Sequence, residues 1–194
     1  IHFQDVGPYG RIPHLQPVDW SDGWPVMGNQ GIPVAEWDTG LPAVPVSVPL
    51  SDFFETAIGP AWQWQANPDP SWFTLLRPGL RLHAVPADRL YEAGSFLSRL
   101  MTSRNFDMDV RLTVPRSDTA VTGIGLMGNN YFYAALRNGA VRLVSGSAEE
   151  AEKELLSFPY KKAELLLRLR VRNGFVSFFF GTFGCDPEPL GGIS

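Results

Sequence analysis

From Phe106 to Val114 the chain alternates apolar and polar residues without a break, with Phe106, Met108, Val110, Leu112 and Val114 at one parity and Asp107, Asp109, Arg111 and Thr113 at the other. Successive side chains of a strand point to opposite faces, whereas a helix would scatter these five apolar groups around its circumference. The segment therefore reads as a strand with one face in a core and the other in water. Such a strand needs a second layer to bury its apolar face.

The same pattern recurs along the chain. Trp62-Gln63-Trp64-Gln65 alternates, and Leu80 to Val85 and Leu165 to Val171 are further strand-like runs. Asn138-Gly139 and Asn173-Gly174 are the pairs that two-residue hairpins favour, because both central positions of a type I′ turn need positive φ. The first of them joins Tyr131–Leu136 to Val141–Val144. Strands this numerous, at this spacing, predict an all-β fold in which Ser51 to Phe180 forms two packed antiparallel sheets of the jelly-roll kind.

Three stretches depart from that pattern. Residues 1–28 are dense in aromatic, Pro and Gly residues and read as short strands and tight connections, while residues 29–50 contain Pro33, Pro42, Pro45 and Pro49 and read as an extended linker lying against a surface. Ala148 to Leu156, rich in Glu, is either a helical turn or a polar loop. The run Phe175–Phe180 has no recognisable strand after it, so an open apolar edge is expected there. The chain opens on Ile1-His2-Phe3 and closes on Pro187–Ser194, and both ends read as cut from something longer.

Composition narrows the function classes. A formal net charge of -4 provides no concentrated basic surface for phosphate, so nucleic acid is not an expected partner. No apolar run is long enough to span a bilayer. The single cysteine, Cys185, rules out an internal disulfide framework and a multi-cysteine zinc site, and leaves the compartment undecided. Hydrophobic residues at 44% with charged residues at 19% describe a globular chain.

Several motifs carry a chemical and a structural reading. Gly123-Ile124-Gly125-Leu126-Met127-Gly128 has the glycine spacing of a dinucleotide fingerprint, but Asn129-Asn130 and another strand follow where a helix must begin. The glycines are better explained by close strand packing and a turn. Asp107 and Asp109, at i and i+2, could form a carboxylate pair, yet they occupy the polar face of an alternating strand, and Glu149, Glu150, Glu152 and Glu154 read as a solvated run. His2, His14 and His83 lack metal-ligand spacing, and Cys185 has no identifiable base. No catalytic residue, metal site or cofactor is therefore expected within the chain. Trp20, Trp24, Trp62, Trp64 and Trp72 are candidates for stacking on sugar rings and equally for packing.

The opening segment supplies a more specific signal. His2-Phe3-Gln4-Asp5, Gly10-Arg11, His14-Leu15-Gln16-Pro17, Trp20 and Asp22-Gly23-Trp24-Pro25 resemble the run that closes the five-bladed catalytic propeller of glycoside hydrolase family 43, in its β-xylosidase and α-L-arabinofuranosidase branch. Asp52-Phe53, Trp62-Gln63-Trp64 with Asn67-Pro68-Asp69, and Leu75 to Leu82 are similar to the start of that branch's concanavalin-A-like C-terminal domain.

The resemblance implies a concanavalin-A-like jelly-roll β-sandwich preceded by the last strands of a five-bladed β-propeller. The expected division is residues 1–28 as propeller remnant, 29–50 as linker and 51–194 as an accessory sandwich shortened at its C-terminus. It further implies an inverting hydrolysis of xylan- or arabinan-derived oligosaccharides, with or without an assisting metal, by three carboxylates lying outside this chain. Arg11 is implied as a substrate-binding residue, a guanidinium able to donate two hydrogen bonds to sugar hydroxyls or to orient a carboxylate; a structural ion pair is its alternative role. The expected partners are a xylo- or arabino-oligosaccharide and, within one polypeptide, the propeller; a homo-oligomer of the parent is compatible with the sequence. The competing reading is a stand-alone carbohydrate-binding sandwich.

Overall fold

The computed structural model describes residues 2–45, 51–101, 103–114 and 119–193. Residues 46–50, the last part of the Pro-rich segment, lie outside the described residues. The chain falls into two compact units, Ile1–Phe53 and Phe54–Ser194.

The first unit is built from two small hairpins. Strand β1 (His2–Asp5) pairs antiparallel with β2 (Arg11–His14), setting His2 opposite His14 and Asp5 opposite Arg11. Between them the chain makes a tight turn at Gly7–Tyr9, where the Asp5 carboxylate accepts a hydrogen bond from the Gly7 amide at 3.1 Å. Strand β3 (Val18–Asp19) pairs with β4 (Val26–Met27), and its turn is held by Asp19 and Asp22 side chains accepting from the amides of Ser21 and Trp24. Beyond β4 the backbone is irregular, as prolines dictate, but it is anchored. The Gln16 amide donates to the Val34 carbonyl at 3.0 Å and accepts from the Val34 N–H at 2.8 Å. None of the described hydrophobic residues of this unit is buried, and Phe3, Leu15, Trp20, Trp24 and Trp37 are largely exposed.

The second unit opens with four short strands, β5 (Gln63–Trp64), β6 (Phe73–Leu75), β7 (Leu80–Leu82) and β8 (Leu97–Ser98), in which β5 pairs with β8 and β6 with β7. Aromatic rings hold this region together: Trp64 lies 5.7 Å from Trp72 and 5.5 Å from Phe73, and Phe54 lies 5.5 Å from Trp62. These distances are those of tilted aromatic pairs packed against one another.

The sandwich itself follows: β9 (Asn105–Thr113), β10 (Thr122–Leu126), β11 (Asn130–Arg137), β12 (Ala140–Ser147), β13 (Lys153–Pro159), β14 (Glu164–Arg172), β15 (Phe175–Gly181) and β16 (Glu188–Ile193). One four-stranded antiparallel sheet has the order β10-β11-β12-β13 and the other β16-β15-β14-β9. Both predicted hairpins are present, with φ of 51° and 68° at Asn138 and Gly139 and 50° and 92° at Asn173 and Gly174. Non-glycine residues resist that region of φ, and Asn tolerates it best, which explains the choice of residue.

The core lies between the two sheets. Ala134, Leu136, Val141 and Leu143 from one sheet meet Leu165, Leu167, Leu169, Val171 and Phe178 from the other, all of them buried. The four apolar residues of β9, Phe106, Met108, Val110 and Leu112, and Val114 just beyond it pack against this cluster as their alternation requires, each half-buried at the edge of the sheet. Gly191 also faces inward, where a Cβ would stand 2.8 Å from the methyl ends of Leu143 and Leu156, so its bareness lets the sheets close.

Two sequence expectations are corrected. In the Glu-rich segment Ala148–Leu156, residues 148–152 are a loop as expected, but from Lys153 the chain enters the edge strand β13, paired with β12 from Ala140↔Pro159 to Ser145↔Lys153. The pairing supplies hydrogen bonds that local helix propensity does not register, and Lys153, Glu154 and Pro159 are residue types that blunt an exposed edge. The run Phe175–Phe180 is not an open edge either. Strand β16 pairs with it from Val176↔Ile193 to Phe180↔Glu188, through a bulge at Phe178/Phe179. Pro187, Pro189, Gly191 and Gly192 disguise β16 as a tail, whereas an outer strand accommodates proline because one side of its backbone has no ladder to make.

Candidate functional site

Arg11, the residue implied as a sugar contact, stands on β2 with its side chain about two-thirds exposed, 69%. Its Nε lies 4.0 Å from Asp5, which is itself exposed, and its guanidinium sits 4.8 Å from the Phe3 ring centroid. An exposed ion pair at that distance holds a side chain weakly. Nearby, the rings of His2 and His14 stack at 5.3 Å, and with Gln4, Gln16, Val34 and Trp37 they border a broad open concavity of about 890 Å³.

Asp107 and Asp109 do not form a carboxylate pair free for chemistry. Each faces an arginine directly across the β9–β14 ladder, Asp109↔Arg168 and Asp107↔Arg170. Arg168 binds Asp109 in a two-pronged fashion at 2.7 and 2.8 Å, Arg170 reaches Asp107 at 2.9 Å, and Arg172 reaches Asp107 at 2.7 Å. Hydrogen bonding from Arg170 in particular holds the Asp107 carboxyl below the usual carboxylate range.

A depressed folded-state pKa means stability that is fully present above the ordinary carboxylate pKa and lost as the pH falls through the depressed value. Partial exposure limits the gain to about 1 kcal/mol or less. Wild type should therefore melt a few degrees above Asp107→Asn near neutral pH, roughly 2–4 °C for a chain of this size. That gap should close as the pH falls below the ordinary carboxylate range and the Asp107 carboxylate takes up its proton. A gap independent of pH would show that the arginine ladder adds nothing through charge.

The remaining candidates are mostly structural. Gly123 and Gly125 lie within β10, with strand β11 after them and no helix. The His83 ring is hydrogen-bonded to the Thr74 hydroxyl at 2.9 Å on an exposed surface, and Cys185 is exposed in a turn. Among the described residues no three His, Cys, Asp or Glu side chains converge on a point, and no helix is long and apolar enough to cross a membrane. Trp62, Trp64 and Trp72 are half-buried in the aromatic packing already described, whereas Trp20 and Trp24 are exposed at 62% and 72% and are free to meet a ligand or another surface.

The glutamate run is corrected in part. Glu152 is not merely solvated, because it accepts hydrogen bonds from the Leu90 amide at 2.7 Å, the Tyr131 hydroxyl at 3.0 Å and the Tyr133 hydroxyl at 2.6 Å. Burial, and then the Glu152 carboxylate, push the Tyr131 phenol up to about 12 and raise Tyr133 further. Both remain protonated donors at any physiological pH. The rings of Tyr91, Tyr131 and Tyr133 stack in sequence at 6.4 Å spacing. Glu154 pairs with Arg142 across β12 and β13. The signal for this cluster was present in the sequence as Tyr131 and Tyr133 at i and i+2, but their partner Glu152 comes from a loop that only the folded sheet brings alongside.

This antiparallel two-sheet architecture defines the larger unit as a concanavalin-A-like β-sandwich. Residues 51–193 match the β-xylosidase C-terminal concanavalin A-like domain, and the chain belongs to that family, within glycoside hydrolase family 43. A β-xylosidase of Formosa agariphila is 38% identical over 94 residues, covering 43% of this chain and 16% of the relative. A protein of Xylanibacter ruminicola, whose given name also places it among β-xylosidases, is 33% identical over 122 residues, covering 58% of this chain and 24% of the relative. The chain thus spans a quarter or less of the length of these relatives. A family 43 protein of Bacillus licheniformis shares the fold with a TM-score of 0.78 at 24% identity, over 98% of this chain and 40% of its own. The xylan β-1,4-xylosidase of Bacillus halodurans does so with a TM-score of 0.70 at 22% identity, over 92% of this chain and 38% of its own.

Proposed function

We propose that this chain is the C-terminal part of a glycoside hydrolase that cleaves O-glycosyl bonds in xylan- or arabinan-derived oligosaccharides, of the β-xylosidase or α-L-arabinofuranosidase type. The observation that carries this reading is the match of residues 51–193 to the β-xylosidase C-terminal domain, joined to the motifs of residues 2–28 that resemble a propeller's closing run. The proposed parent works by inversion: one carboxylic acid protonates the leaving oxygen while a carboxylate activates water on the opposite face of the sugar. Those groups are assigned to propeller blades outside this chain. Of the acidic residues singled out in the sequence, Asp107 and Asp109 are held by arginines and Glu152 by three donors.

In this reading residues 1–28 close the propeller, residues 29–50 link it to the sandwich, and the exposed apolar groups of the first unit meet the remaining blades. Arg11 is the residue through which the chain reaches the sugar pocket. Its weak, exposed pairing with Asp5 leaves the guanidinium free to turn toward a ligand. The parent is open to homo-oligomer formation.

Turnover tests the assignment. The purified 194-residue chain should release no product from an aryl β-xyloside or aryl α-L-arabinofuranoside, because it contains neither the acid nor the base. The parent carrying the preceding blades should hydrolyse at least one of the two, with the anomeric configuration of the first-formed sugar inverted in proton NMR. Activity in the isolated chain, or inertness of the parent toward both substrates, would overturn the proposal.

A further inference from the structure

Antiparallel partners share a face, so the pairings Gly123↔Ala135, Gly125↔Tyr133 and Tyr131↔Gly146 put these residues together on the outer face of the β10–β13 sheet, away from the core. The glycines let β10 and β12 close tightly on β11 beside Tyr133. A Cβ at Gly123 would stand 2.0 Å from the Ala134 carbonyl oxygen, and one at Gly146 would stand 2.4 Å from the Tyr131 ring. On the same face lies a depression of about 160 Å³ with an apolar floor of Ala135 and Val144, walled by Tyr133, Glu152, Arg142 and Glu154, with Arg137 and Val121 at its margin.

The wall is chemically specific. Arg142 and Glu154 are ion-paired and Glu152 is held by its three donors, so these groups are fixed before any ligand arrives. Arg137 is exposed and makes no ion pair among the described residues. The Nε of Arg142 is buried without an acceptor. The four charged groups sum to zero, two arginines against two glutamates, so no net field selects an ionic ligand. The exposed Arg137 donors and remaining carboxylate lone pairs over an apolar floor match one molecular class well: a neutral sugar ring, with C–H groups on its face and hydroxyls on its rim.

We infer that this depression binds one uncharged sugar unit of the oligosaccharide or polysaccharide on which the parent acts. The inference rests on the glycosidase reading above. Arg137 supplies the fork that engages adjacent hydroxyls, and Ala135 and Val144 form the floor beneath the ring.

The test uses the full-length parent and a thio-linked xylotriose or arabinotriose that it cannot hydrolyse, titrated by calorimetry. Wild type should take up a second equivalent of ligand beyond that in the catalytic pocket. Arg137→Ala should weaken that second uptake at least about tenfold, the scale of one charge-assisted hydrogen bond. Val121→Trp, which fills the margin of the depression, should abolish it. A single equivalent in wild type with the trisaccharide together with no further uptake of soluble xylan or arabinan, or a second uptake untouched by both variants, would sink the proposal. Retention of the second uptake for the trisaccharide locates the natural ligand among short chains, and its appearance only with soluble xylan or arabinan locates it among polymers. Turnover of an aryl glycoside by the same wild-type preparation separates the two readings: an active enzyme with no second uptake of trisaccharide or polymer refutes only this site.

Discussion

Replacing Phe178 by alanine should destabilise the sandwich by about 3–5 kcal/mol, the scale for deleting a buried phenyl ring and leaving a cavity that its neighbours fill only in part. Phe178 has no exposed surface and belongs to the central cluster, on a strand flanked by β14 and β16. The unfolding transition should fall by roughly 10 °C or more. Phe175, three residues earlier in the same strand, is 62% exposed and provides the control: Phe175→Ala should move the transition by no more than about 0.5 kcal/mol. Equal losses at the two positions would mean that the face of β15 has been assigned wrongly.

The second large effect concerns catalysis. In the intact parent, Arg11→Ala should lower kcat/KM by an amount corresponding to roughly 2–4 kcal/mol of transition-state binding, with folded content close to wild type. The exposure of Arg11 and its long contact to Asp5 are the reasons to expect little structural cost. Loss of the melting transition with unchanged turnover per folded molecule would make Arg11 a scaffold residue. The pocket role would then fall, and the family would stand.

How much of this was legible beforehand differs from element to element. The face of β9 was readable because a period of two has one structural meaning, and the two Asn-Gly turns because few other residue pairs accept positive φ at both positions. Strand β13 was not readable. Its Glu-rich approach resembles a polar loop, and its hydrogen bonds come from β12, which local sequence does not contain. Strand β16 was hidden by its prolines and glycines for a related reason, since those residues break structure on average and are tolerated only where an outer position relaxes the demand.

The candidate sites divide in the same way. Asp107 and Asp109 were recognisable as polar-face residues, but their arginine partners lie some sixty positions away in sequence, at separations of 63 and 59, and only the β9–β14 register brings them opposite. The Glu152 cluster depends on a loop, a sheet and the Leu90 amide meeting at one carboxylate. Sequence alone determined that the chain is all-β, where its turns fall, which side of β9 is apolar and which family it resembles, because those are properties of local pattern and motif. Tertiary structure alone decided which strands close the edges, which glutamate is held by three donors, and where a small, polar-walled depression stands. Pairing and burial are settled between residues far apart in the chain, and the energy that selects them appears only when both partners are in place.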